Sequence, residues 1–184
     1  MPNAILDPTG RDQETLPTAS ARAPRRPDLT GARIGLLDNT KHNAALLLRE
    51  IGKLLVSEHG AAEVTEVQTK QVFSLPVPDD VVTTYLRECD AVVTGVGDCG
   101  SCSAASTADG IAFERAGLPA AVICTEAFVV TANKMAEMRG EPDYPYVVTE
   151  HPVAVLTEEQ VRQRATKLLP EIVSLLTAAP GAAR

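Results

Sequence analysis

The stretch Ala91-Val92-Val93-Thr94-Gly95-Val96, continued by Gly97-Asp98-Cys99-Gly100-Ser101-Cys102-Ser103, decides how this chain folds. Its first part is an apolar, β-branched run, the pattern of a strand buried on both faces. Its second part is small and polar. It leads into residues 103–116, which read as a helix ended by Gly117. Strand, tight turn and helix make the unit of a parallel sheet, and the unit recurs on either side. Upstream, Ile34-Gly35-Leu36-Leu37 reads as a buried strand and Asp38-Asn39-Thr40 as helix-capping residues. Residues 43–56 then carry Ala45, Leu46, Leu48, Ile51, Leu54 and Leu55 at helical spacing, with His59-Gly60 as the stop. Residues 63–67 alternate as a strand does, and Asp79-Asp80 opens a helix through Leu86 and Cys89. Downstream, residues 119–124 form another apolar strand, 127–139 a helix stopped by Gly140, and 146–149 a short strand. Thr157 and Gln160 make a capping-box pattern before a helix from Glu158 to about Ala178. Apolar strands alternating with helices predict an α/β fold. The sheet is open and mainly parallel, of about five strands, with helices on both faces in a flavodoxin- or Rossmann-like arrangement.

Composition agrees with one such domain. The chain has 184 residues, and aromatics are only 3%, so the core must be built from Ala, Val, Ile and Leu. The 17 Lys and Arg against 24 Asp and Glu leave a charge of −7, which argues against a nucleic-acid partner. Too few rings are present to stack on bases. No apolar run reaches the ~18 residues of a membrane span, and no secretory signal is visible, so the expectation is a cytoplasmic protein with no membrane partner. Thiols there stay reduced, and the four cysteines are not expected to form a disulfide framework. Residues 1–30 read as a mostly irregular arm, and residues 31–180 as the single α/β domain. Ile5-Leu6 before Asp7-Pro8-Thr9-Gly10 suggests a short docked strand, and Arg22, Arg25 and Arg26 a solvated linker.

In an open parallel sheet, ligands bind beyond the carboxyl ends of the strands. Three of the four cysteines and two of the three histidines fall in those segments. Cys99 is the expected reactive thiol, because backbone N–H groups at a helix start stabilise a thiolate. Two chemistries remain open. In one, Cys99 is a redox centre and Cys102 resolves the mixed species. In the other, Cys99 attacks a substrate covalently while helix-start N–H groups hold an oxyanion. His151 is the expected acid/base. Asn39, Thr40, Lys41, His42, Ser101, Ser103, Cys124, Thr125 and Glu126 are expected to bind the substrate, with Lys41 holding an anionic group. Plainer roles compete: Asp98 as a helix cap, Glu126 as a first-turn carboxylate, Cys124 and Cys89 as packing, His59 as a solvated helix end. Zinc needs more than one Cys-x-x-Cys pair, so no metal is expected. Neither a Gly-x-Gly-x-x-Gly nor a P-loop follows the first strand, and no cofactor is expected beyond an external thiol reductant. The whole site requires Cys99, Cys102, Cys124 and His151 to meet in one cleft.

The segment Gly97-Asp98-Cys99-Gly100-Ser101-Cys102 resembles the UGSC family, named for selenocysteine-Gly-Ser-Cys after a buried strand. Cys99 stands at the selenocysteine position. The resemblance extends to residues 5–10 (ILDPTG), 123–128 (ICTEAF) and His151-Pro152. The family is similar to the selenoprotein B subunits of glycine reductase and, more distantly, to one half of the aspartate/glutamate racemase fold. It implies an α/β domain with a reactive chalcogen at a strand end, here a less nucleophilic sulfur. The expected function is a cysteine-dependent enzyme acting on a small molecule by thiol redox, hydrolysis or carbon–heteroatom cleavage. The alternative is a noncatalytic thiol-bearing subunit or carrier of a reductase-like complex. The final helix, with Leu156, Val161, Ala165, Leu168, Leu169 and Ile172, offers a surface for a homo-oligomer or partner subunit, against which stands the plainer expectation of ordinary packing on the sheet.

Overall fold

The computed structural model describes residues 22–65, 68–72 and 74–177. In chain order the elements are β1 (Arg33–Asp38), α1 (Ala44–His59), β2 (Glu63–Val64), β3 (Gln68–Thr69), α2 (Asp79–Glu88), β4 (Ala91–Gly97) and α3 (Gly100–Arg115). There follow β5 (Ala120–Thr125), a 3-10 turn (Glu126–Phe128), α4 (Val129–Met138), β6 (Val147–Thr149) and α5 (Glu158–Thr177). The strands pair in the order β2-β1-β4-β5-β6, with β3 also on β1, and every pairing is parallel. The expected α/β architecture is what the chain adopts.

Of the strand expected at 63–67, Glu63–Val64 pairs with the start of β1, and residues 66–67 lie outside the described residues; Gln68–Thr69 pairs with the end of β1. Two-residue strands carry no period to read. All seven residues of β4 are buried. One sheet face packs Ile34, Leu36, Val93 and Ile123 against Leu48 and Ile51 of α1 and Leu168 and Ile172 of α5. The opposite face carries α2, α3 and α4: Leu37 and Val92 meet Tyr85 and Phe113, while Val122 meets Ile111 and Ala132. Small residues bring these layers close. A Cβ on Gly110 of α3 would stand 2.2 Å from Val122 Cγ2 and 2.3 Å from the Tyr144 hydroxyl.

α5 starts with the expected box: Thr157 N–H donates to Gln160 Oε1 (2.9 Å) and Gln160 N–H to Thr157 Oγ1 (3.3 Å). Its apolar stripe takes the plainer of its two expected roles, packing on the sheet. Val161, Ala165, Leu168, Leu169 and Ile172 are buried in the same core as α1, and Leu156 packs on it. The solvated-linker expectation is corrected. Residues 22–30 form no helix or strand, yet the side chain of Arg25 is buried and its guanidinium grips Glu114 of α3 with N–O distances of 2.6 and 2.7 Å. Glu114 also accepts Ala23 N–H, and Arg25 Nε donates to the Leu175 carbonyl of α5. The strand expected at Ile5-Leu6 lies outside the described residues. No described helix is long and apolar enough to cross a membrane.

Candidate active site

The site is built where β4 hands over to α3. Gly97 ends β4, and a Cβ there would stand 2.6 Å from Ser103 Oγ, 2.9 Å from Ser103 Cα and 2.7 Å from Cys124 Sγ. Only a residue without a side chain lets α3 begin so close to the strand end. The helix starts at Gly100, three residues before the expected position, and its N-cap is Cys99. Asp98 is therefore not the cap. It is buried, and its carboxylate accepts Val153 N–H (3.1 Å), Ala154 N–H (3.0 Å) and His151 Nδ1 (2.9 Å).

Cys99 Sγ accepts the Cys102 N–H at 3.3 Å and lies 3.6 Å from Ser101 Oγ. Burial pushes the Cys99 thiol up. Hydrogen bonds from the Cys102 thiol, the Ser101 hydroxyl and the Cys102 N–H outweigh it together with the Lys41 charge, and the net pKa lies below that of an ordinary thiol. Cys102 goes the other way. Burial, its hydrogen bond to Cys99 and the charge of that thiolate push it up to about 12. One sulfur is partly exposed with its pKa lowered, and the other is buried with its pKa raised.

Both sulfurs line a cleft of about 390 Å³ together with Thr40, Lys41, His42 and Ala154. Two larger cavities, of about 430 and 490 Å³, hold no cysteine; chemistry rather than size selects this one. The β1–α1 loop forms one wall. Asn39 is fully buried and does not line the cleft. It holds the loop to β4, with Nδ2 donating to the Val96 carbonyl (2.8 Å) and Oδ1 accepting Val96 N–H (3.1 Å). Thr40 and Asn43 take left-handed φ values of 69° and 68°. The helix thus starts at Ala44, and Asn43 uses its side chain to reach the Val153 and Leu156 carbonyls rather than to cap. The asparagine and the aspartate expected to cap α1 bond elsewhere too: Asp38 accepts Thr40 N–H and the Thr69 hydroxyl. His42 Nδ1 lies 2.6 Å from the Ala154 carbonyl. A carbonyl can only accept, so Nδ1 carries a proton, and in the neutral ring Nε2 is left basic.

The four residues expected to meet in one cleft do not all do so. Cys99 and Cys102 line it. His151 stands beside it, held through Nδ1 by Asp98 and 3.2 Å from the Thr125 hydroxyl, with its ring edge-on to Phe128. Cys124 is absent from it. The side chain at that strand position points into the layer of Ile111, Ala132 and Tyr144, is fully buried, and is pushed up by burial to about 12. Thr125 is buried and donates to the Gly97 carbonyl at 3.0 Å. Ser103 is buried and donates to the Cys99 carbonyl at 2.8 Å. Both fix the turn rather than face a ligand. Glu126 is exposed in the first turn of its 3-10 segment, with Oε1 a marginal 3.5 Å from His151 N. Cys89 is buried beside β1 and pushed up to about 11, as a packing residue would be. Among the described residues no group of three or more His, Cys, Asp or Glu is placed to hold a metal. Ala154 was not foreseen. It acts through its backbone, and an alanine leaves no signal in sequence for that.

The model of the UGSC family matches residues 4–178. The chain belongs to the UGSC family. No curated protein matches it. A solved chain from Leishmania major provisionally named MAR1 ribonuclease is 15% identical, covering 84% of this chain and 95% of that one. Its TM-score of 0.36 is too low to bear on fold or activity. In this UGSC-family chain the family's motif is a strand end, a cysteine cap and a buried second thiol. One continuous set of hydrogen bonds runs from His42 through the Ala154 peptide to Asp98 and His151. Such an arrangement can present a nucleophilic sulfur, deliver a proton from His42 and close a second sulfur onto the first.

Proposed function

We propose that this UGSC-family protein is a thiol-dependent enzyme acting on a small molecule through Cys99, with Cys102 as the resolving thiol. The observation that carries it is the opposite poise of two sulfurs three residues apart in one cleft. The Cys99 thiolate attacks an electrophilic heteroatom of the substrate. The new bond is sulfur to heteroatom, the heteroatom's bond to its leaving group breaks, and the leaving group takes from His42 Nε2 the proton that the Cys99 thiol gave up on forming the thiolate. Cys102 then attacks Cys99 Sγ, giving its proton to the returned His42 base. The products are the Cys99–Cys102 disulfide and the released heteroatom group, which leaves with the bonding pair and takes up that proton. Two thiols have been oxidised and the substrate reduced by two electrons. An external dithiol, the expected supply in a reducing compartment such as the cytoplasm, restores the pair. His42 takes the acid/base role because it lines the cleft. His151 is a positioning residue, which holds Asp98 and hence Ala154. A purely covalent hydrolysis would have no use for Cys102, and nothing favours the carrier reading once the stripe of α5 is buried.

The test is mass spectrometry after low-dose iodoacetamide near pH 7. Labelling confined to Cys99 is expected, and equal slow labelling of all four cysteines would sink the reading. Cys99→Ser should abolish labelling and turnover. Cys102→Ser should stop the reaction at a trapped adduct on Cys99.

A further inference from the structure

We infer that the molecule taken by the Cys99 cleft is a small electrophile carrying an anionic group, seated on the Lys41 ammonium with its reacting atom toward Cys99. This deepens the proposed function and rests on it. The argument starts from the charge of the lining. Thr40, Lys41, His42, Cys99, Cys102 and Ala154 form the cleft, and none is a carboxylate. The chain as a whole carries −7, so a wall without acid and with a lysine is a local reversal. Nearby carboxylates are turned away from it and engaged. Asp98 is buried on Val153 N–H, Ala154 N–H and His151, and Asp38 is held by Thr40 N–H and the Thr69 hydroxyl.

Lys41 itself is uncommitted. Most cations of the described chain have a carboxylate, as Arg25 has Glu114, Lys70 has Asp109 and Lys167 has Glu150. Lys41 forms no salt bridge or side-chain hydrogen bond with any described residue, although its charge is close enough to act on both Cys99 and Cys102. The loop holds it at the wall. Its N–H donates to Asn39 Oδ1 at 3.3 Å, Asn39 is bonded to β4, and the next residue is tied to Ala154. A cation on an anchored loop, with no partner among the described residues and beside a cysteine in a cleft of about 390 Å³, fits a carboxylate, sulfonate or phosphonate on a molecule of a few heavy atoms. The N-terminus of α3 adds positive potential on the same side. A neutral molecule would leave the ammonium without a partner on closing the cleft, and a cationic one would be repelled.

Two alkylating reagents that differ only in charge test this: iodoacetate and iodoacetamide, both taking iodide displacement by the Cys99 thiolate. Their rate ratio at Cys99 is measured in the full chain and divided by the ratio for a free thiol, which cancels the thiolate fraction. The expected normalised preference for iodoacetate is about tenfold at low salt and shrinks in 0.5 M sodium chloride on the order of severalfold. Lys41→Met should return it to that of the free thiol, while Lys41→Arg should keep it. A wild-type ratio no greater than that of the free thiol overturns the inference without any variant, and so does a preference that Lys41→Met leaves intact. If iodoacetamide labels Cys99 alone but no preference appears, only the anion inference fails. If neither reagent selects Cys99, the proposed function fails with it.

Discussion

Cys99 and Cys102 are the same side chain in two surroundings, and the surroundings set opposite chemistry. Each donor to Cys99 Sγ favours the thiolate, so removing one must raise its pKa. Cys102→Ala deletes the donating thiol while leaving the 3.3 Å bond from the backbone N–H of position 102. The pH profile of iodoacetamide labelling at Cys99 should therefore move to higher pH; an unmoved profile would mean that the thiol does not stabilise the charge. His42 can be separated from His151 in the same way. His42→Gln should flatten the acid/base limb of turnover, whereas His151→Gln should slow turnover without changing the shape of the pH profile. The placing of Cys99 and Cys102 beside one cleft was legible in sequence because a strand end, a glycine and a helix start bracket them. The rank of the two histidines was not, because it depends on a carbonyl, Ala154 O, that no residue type announces.

α3 shows what an element adds to those residues. Its start was misplaced because Gly100, Ser101 and Cys102 are weak helix formers, and the cap is a thiol rather than the adjacent aspartate. Cys124 was misplaced for a strand reason: which face a residue takes depends on register, and an apolar run on both sides gives no alternation to fix it. Gly97 sets the height of α3 over the sheet. Gly97→Ala puts a methyl against the Ser103 backbone at 2.9 Å, which cannot swing aside as a side chain can. The helix start must shift, with a cost of about 1–3 kcal/mol in urea unfolding and slower labelling of Cys99. Full retention of both would show that the close approach is dispensable.

At the scale of the molecule, the arm and the sheet are joined by a buried charge pair. The Arg25 and Glu114 side chains are only 4% and 6% exposed. Arg25→Met leaves the Glu114 carboxylate buried with backbone donors alone, and should cost about 3–5 kcal/mol in denaturant unfolding, with faster tryptic cleavage after Arg22. The pattern of pH dependence is also collective. Cys89, Cys102 and Cys124 hold their protons to about 11, 12 and 12 in the fold against an ordinary 9.0, while Cys99 lies below it. Between those values the unfolded chain binds fewer protons than the native one, so stability falls as pH rises above about 9, the three raised thiols outweighing the single lowered one. A thermal midpoint that drops through that range is the expected outcome, and a flat one would contradict the burial of the three thiols. The α/β layering was legible from apolar runs; the clasp of residues 22–30 was not, since an arginine among prolines looks the same whether docked or free. The sealed position of Cys124 has a use beyond packing. A reagent can meet that sulfur only when the sheet parts from α3 and α4, so its slow modification clocks how often the whole chain breathes open. The molecule carries its own stopwatch, read in the same spectrum as the labelling of Cys99.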